Sequence, residues 1–222
     1  RSARKWLANK VIQTSAPCRI DSGGTWDIKA MALPVEYIAP NTVNIALNIR
    51  TRVIIGPYKE GMIQISSEGF HRIERYHASA IPFTPPFGLF SAAISVCRLH
   101  GLSVHIISGP PLGSSLGGSS TALVALLWGL SKLLSAIGDK PYSTKRLLKL
   151  AYNIEDGVLG GYCGMQDHAA AIYGGVNRWI WQYSKENPVK REVLISKNFQ
   201  KELSDRLLVA YCGKSHFSGD IN

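Results

Sequence analysis

The sequence predicts an α+β domain, a mixed sheet with helices packed on one face. Alternating apolar segments dominate its first half, strongly helical runs crowd the middle, and shorter alternating segments return near the end. A length of 222 residues suits one large domain or two small ones with ample core. Its 45% hydrophobic and 18% charged residues are the balance of a globular chain.

The elements follow in order. "TVNIALNIRTRVII" (42–55) places Val43, Ile45, Leu47 and Ile49 on one strand face, and "MIQISS" (62–67) follows a turn at Gly61. "RIERYHA" (72–78) reads as the next strand, and the proline-rich break "IPFTPPFG" (81–88) separates it from a helix at 89–101. "LSVHIISG" (102–109) alternates Val104 and Ile106 with His105 and Ile107, a strand pattern. From Ser119 a long apolar helix runs to Gly138, and Ser143 or Thr144 caps a third helix over 144–160. A glycine-flanked short helix lies within 161–175, and strands are expected at 176–183, 191–196 and 206–212.

The chemistry concentrates between the strand at 102–109 and the long helix. "PPLGSSLGGSSTALVALL" (110–127) is a glycine- and serine-rich loop opening a helix. Strand, flexible loop and helix N-terminus together hold a phosphate: the backbone approaches closely, free N–H groups face the anion and the helix dipole adds to them. The competing reading is a solvated loop before an ordinary core helix. Two acids stand near this region. Asp167 enters the short helix, where it is expected to cap the N-terminus, and Glu155 lies twelve residues earlier on the preceding helix. One carboxylate accepting a hydroxyl proton and another holding magnesium would meet the needs of phosphoryl transfer to an alcohol. Asp27 falls in "CRIDSGGTWDIK", a weak signal alone, and Arg19 in the same stretch is a fixed cation able to stabilise developing charge.

Other classes fare worse. A formal charge of +10 invites nucleic acid, but the basic residues are scattered without aromatic interleaving, so no specific nucleic-acid partner is expected. Scattered positive charge also suits handling of nucleotide and sugar phosphates. No segment reaches the roughly 18 unbroken apolar residues of a membrane span, and "RSARKWLANK" lacks the apolar core of a signal peptide. Cys18, Cys97, Cys163 and Cys212 lie far apart, so reduced thiols and a cytoplasmic location are expected. Gly213-Lys214-Ser215 imitates the tail of a Walker A motif, but Leu208 stands where that motif needs glycine.

With these pieces placed, the sequence resembles the GHMP kinases. The family's loop motif, Pro-x-x-x-Gly-Leu-Gly-Ser-Ser, is similar to "PLGSSLGGSST" (111–121). Within the family the chain is most similar to the sugar-kinase branch that includes heptose 7-phosphate kinases and fucokinases. An opening like "RIDLAGGTLDI" matches "CRIDSGGTWDI", and "EDGVLGGYCGMQDHAAAIYGG" matches the branch at Glu155, Gly164, Gln166, Asp167, Gly174 and Gly175. The resemblance implies a GHMP-type N-terminal domain and an ATP- and magnesium-dependent kinase for a hydroxyl of a sugar or sugar phosphate. It implies that Pro111, Gly113, Ser115, Leu116, Gly117, Gly118, Ser119 and Ser120 line the nucleotide, and that Ser120 and Glu155 position magnesium. Asp167, supported by Arg19, would be the base, and Gly24, Thr25, Asp27, Gly164 and Gln166 would bind the acceptor. A homodimer is compatible with it; a non-catalytic relative that binds nucleotide or sugar is the alternative.

The chain also departs from the pattern. Ser115 replaces the loop's first glycine, His168 stands where glutamine or asparagine is usual, and one residue is missing between Arg19 and Gly23. The third glycine-rich motif is absent, which gives the expected division into an N-terminal domain over 1–183 and the start of an incomplete C-terminal domain over 184–222.

Overall fold

The computed structural model describes residues 1–22 and 26–214. Among these, α1 (Arg4–Leu7) leads into β1 (Ile12–Ser22), then α2 (Lys29–Ala32) and a 3-10 helix (Leu33–Ile38). Next come β2 (Asn41–Pro57), β3 (Met62–Ser67), β4 (Arg72–His77), α3 (Gly88–Val96) and β5 (Leu102–Ile107). The chain continues through α4 (Gly118–Ala136), α5 (Thr144–Val158), α6 (Gln166–Tyr173), β6 (Val176–Trp181), β7 (Val189–Val193) and α7 (Lys197–Arg206).

The seven-stranded sheet has the order β4-β3-β5-β2-β6-β7, with β1 paired to β2. Among the described strand pairs, β3–β5 alone is parallel. β2 is the spine. One edge pairs with β1 along nearly its whole length; the other takes β6 at residues 41–45 and β5 at 52–57.

The expected single apolar face of β2 is not what forms. Leu47 is buried, but Val43, Ile45 and Ile49 are only half-buried, while Thr42 and Asn44 point inward. The reason is a bulge. Between the Arg19–Ala46 and Pro17–Arg50 pairs β1 advances two residues and β2 four, after which the buried set becomes Thr51, Val53 and Ile55. The inward polar groups are satisfied by indoles: Trp179 Nε1 donates to Asn44 Oδ1 at 2.8 Å and Trp181 Nε1 to Thr42 Oγ1 at 3.0 Å.

Helices α4 and α6 pack on the sheet and α3 and α5 pack against α4, whose Leu123, Leu126, Leu127, Leu130 and Leu133 are fully buried in one core with Val53, Ile55 and Val104. α4 is long and apolar enough to cross a membrane by length and composition, but 72% of its most apolar window is buried within the fold, and that burial accounts for its composition. The third helix begins as expected: Ser143 Oγ accepts from Arg146 N at 3.3 Å. A second core of Met165, Ala169, Trp179 and Trp181 lies beneath α6.

One further expectation fails. Instead of a strand at 206–212, α7 occupies 197–206 and residues 207–214 are irregular, with Leu208 89% exposed. An apolar run makes a strand only where a partner edge receives it. The expected domain boundary at 183/184 lies in the loop between the paired strands β6 and β7, so the sheet runs across it.

Candidate active site

The loop joining β5 to α4 turns back through left-handed backbone at Gly113 (φ 68°), Ser115 (φ 57°) and Gly117 (φ 72°). The glycine-to-serine departure at 115 therefore falls where an L side chain is strained. The serine is held nonetheless, because Arg19 Nη1 donates to its carbonyl at 2.7 Å and Arg19 N donates to Leu116 O at 3.1 Å. Gly117 is the N-cap of α4, and no side chain caps that helix. The N–H groups of Gly118, Ser119 and Ser120 thus lack intrahelical partners where the loop enters the helix. Pro111 and Ser119 are exposed at the rim, while Ser120 is buried.

Asp167 does not cap α6. It is the second residue of that helix, past the N-cap position at Met165, and its Oδ1 instead accepts from Arg19 Nε at 2.7 Å. A Cβ placed on Gly117 would come within 3.0 Å of Asp167 Oδ2, so the oxygen not engaged by Arg19 faces the mouth of the loop. Arg19 also lies 3.1 Å from Asp21 Oδ1, a second counter-ion that the sequence reading did not assign.

The cap of α6 comes from far away. Asp27 Oδ2 accepts from Gln166 N at 2.9 Å, Ile28 bridges to Gly164, and Tyr183 Oη donates to the Asp27 carbonyl. A Cβ on Gly164 would lie 1.8 Å from Asp27 Oδ2, so only glycine admits this approach. Burial pushes the Asp27 carboxyl up to about 6, against the opposing Gln166 N–H. Asp27 Oδ1 and Gln166 Oε1 are buried without hydrogen-bond partners. Gly24 and Thr25 lie outside the described residues.

Glu155 meets the base of the loop from α5. Its Oε1 accepts from Ser119 Oγ at 3.1 Å, and its Oε2 lies 2.6 Å from His168 Nε2. Both residues are buried. Desolvation works against both charges, but their mutual attraction prevails: the Glu155 carboxyl is held below the usual carboxylate range and the His168 imidazole is raised. The structure therefore brings Arg19, Asp167, Glu155, Gly117 and the paired serines to one corner, with Asp27, Gly164 and Gln166 beside it. The sequence reading missed Asn44, whose Nδ2 donates to Gln166 O at 3.2 Å. Its signal was an asparagine in an otherwise apolar strand.

A carboxylate held beside an uncapped helix N-terminus is an arrangement that suits phosphoryl transfer. Residues 87–175 match the GHMP kinases N terminal domain. The relatives narrow the comparison. Over 119 residues the chain is 32% identical to D-glycero-alpha-D-manno-heptose 7-phosphate kinase of Campylobacter jejuni, a stretch covering 54% of this chain and 34% of that protein. The crystal structure of a D-glycero-D-manno-heptose 1-phosphate kinase from Bacteroides thetaiotaomicron superposes with a TM-score of 0.71 at 25% identity, over 85% of this chain and 61% of that one. The galactokinase of Lactococcus lactis, complexed with galactose, shares the fold at 14% identity, with a TM-score of 0.65 over 95% of this chain and 63% of that one. The chain thus spans about a third of its curated relative and about three-fifths of these structures.

Proposed function

We propose that the protein containing this chain is an ATP-dependent kinase that phosphorylates a hydroxyl of a sugar or sugar phosphate, a heptose phosphate being the best-supported acceptor class. The observation that carries this reading is Asp167 Oδ2 facing the N-terminus of α4 at Gly117 while Arg19 holds Oδ1. The loop and the first N–H groups of α4 bind the ATP phosphates. The acceptor oxygen attacks the terminal phosphorus, its proton passes to Asp167 Oδ2, and the bond from phosphorus to the bridging oxygen breaks to leave ADP. Most of the rate arises from positioning and charge neutralisation, because such transition states are loose.

Magnesium fits on donor chemistry. Ser119 Oγ and Glu155 Oε1 lie together at the helix mouth, Ser120 is beside them, and oxygen donors are what magnesium prefers. These residues would hold it, and when bound it would neutralise charge on the phosphate oxygens. Asp27 and Gln166 offer buried, unpartnered acceptors to sugar hydroxyls. The test is ADP release from the full-length protein against hexoses, heptoses and their phosphates. A heptose phosphate should stand out. Absence of acceptor-dependent ADP release across the panel would overturn the reading.

A further inference from the structure

Glu155 of α5, Cys163 of the connecting turn and His168 of α6 converge at one buried point. One ligand-capable atom from each lies within 4.8 Å of the other two, and all three residues are buried. We propose that these three side chains form a binding site for a divalent transition metal of the zinc class, clamped between α5 and α6.

The cluster has a partner to spare. Glu155 Oε2 and His168 Nε2 lie 2.6 Å apart without an aligned hydrogen bond, and His168 Nδ1 is buried with no partner at all. Buried polar atoms need partners, and a metal ion would serve Oε2 and a ring nitrogen at once. The donor set is carboxylate, thiolate and imidazole. That mixture suits zinc or a neighbouring first-row ion, whereas magnesium and calcium prefer oxygen alone. Glu155 can serve both sides of its carboxylate, since Oε1 faces Ser119 and Oε2 faces His168.

Charge balance agrees. In the metal-free fold Glu155 and His168 offset one another as a buried 2.6 Å ion pair, and Cys163 is a buried free thiol. On binding, the thiol and the imidazolium each release a proton. Thiolate and carboxylate then cancel the ion's two charges, leaving a neutral buried site with a fourth position for water. A bound ion would pin the turn that presents Gln166 and Asp167.

The test needs no turnover, so it stands apart from the kinase reading. Chelator-treated full chain is titrated with Co²⁺ and followed by absorbance. A one-to-one complex with a thiolate-to-cobalt charge-transfer band and tetrahedral visible bands is expected, displaced by Zn²⁺ and not by a large excess of Mg²⁺. Cys163→Ser should abolish the charge-transfer band, His168→Gln should weaken Co²⁺ binding at least about tenfold, and Cys212→Ser should change neither. No charge-transfer band in the parent, or a band that survives in Cys163→Ser, would overturn the proposal. Should Cys163→Ser fail to fold, unchanged Co²⁺ affinity in His168→Gln would overturn it equally.

Discussion

Asp27 combines a structural task with a strained charge. Its oxygen caps α6, yet burial raises its pKa from 3.8 to about 6. The folded state therefore favours the protonated form. That contribution is fully present below about pH 4 and is lost as pH rises through about 6, so above that range the ionised carboxylate burdens the fold by up to about 3 kcal/mol. Asp27→Asn keeps an acceptor for Gln166 N without the charge. Urea unfolding should show the variant more stable than the parent near pH 7, with the gain vanishing near pH 4. The same change should raise the KM for sugar and leave the KM for ATP nearly alone, since a site built around a carboxylate loses its hydroxyl partners. Asp167 carries the opposite expectation. Asp167→Asn leaves the cap of α6 untouched, so folding should survive while kcat falls at least about 10² in steady-state assays. Arg19→Met should cost activity as well as stability, because it frees Asp167 Oδ1 and the Ser115 carbonyl together.

The loop and the helix it opens act as a unit, and Gly117 is its pivot. Gly117 sits at φ 72°, and a Cβ there would lie 3.0 Å from Asp167 Oδ2, so Gly117→Val would both strain the turn and push on the Asp167 carboxylate. Calorimetry should show weakened nucleotide binding, and kcat should fall with it. Gly164→Ala should act on the acceptor side: a methyl group 1.8 Å from Asp27 Oδ2 must displace that carboxylate, raising the sugar KM and lowering stability by at least about 2 kcal/mol in urea. At this scale much was legible in the sequence. The glycine-serine loop, the apolar α4 and the Ser143 cap all carry local signals, because backbone freedom, periodicity and capping act over a few residues. The cap of α6 was not legible, because its acceptor sits 139 residues away at Asp27 while the nearer Asp167 offered a plausible local substitute. The inward face of β2 escaped for a similar reason. Its alternation is real, but the bulge opposite Pro17–Arg19 resets which side is buried, and that depends on a neighbouring strand.

At the scale of the molecule, β2 binds the two halves of the sheet and α4 lies across them. Leu127 is fully buried in that contact, so Leu127→Ala should cost about 2–5 kcal/mol in chemical denaturation. Because β1, β5 and β6 all depend on one strand, the loss should appear equally in fluorescence and circular dichroism. The pairing of Asp27 with Gln166 also sets a timetable. On the ribosome, the carboxylate emerges well before the helix it caps, and at about 5–20 residues per second the intervening 139 residues take roughly 7–28 seconds to synthesise. For that interval the segment around Asp27 has no docking place. Stalled nascent chains that stop short of α6 should be cut there by added protease, and chains long enough to release α6 from the exit tunnel should resist.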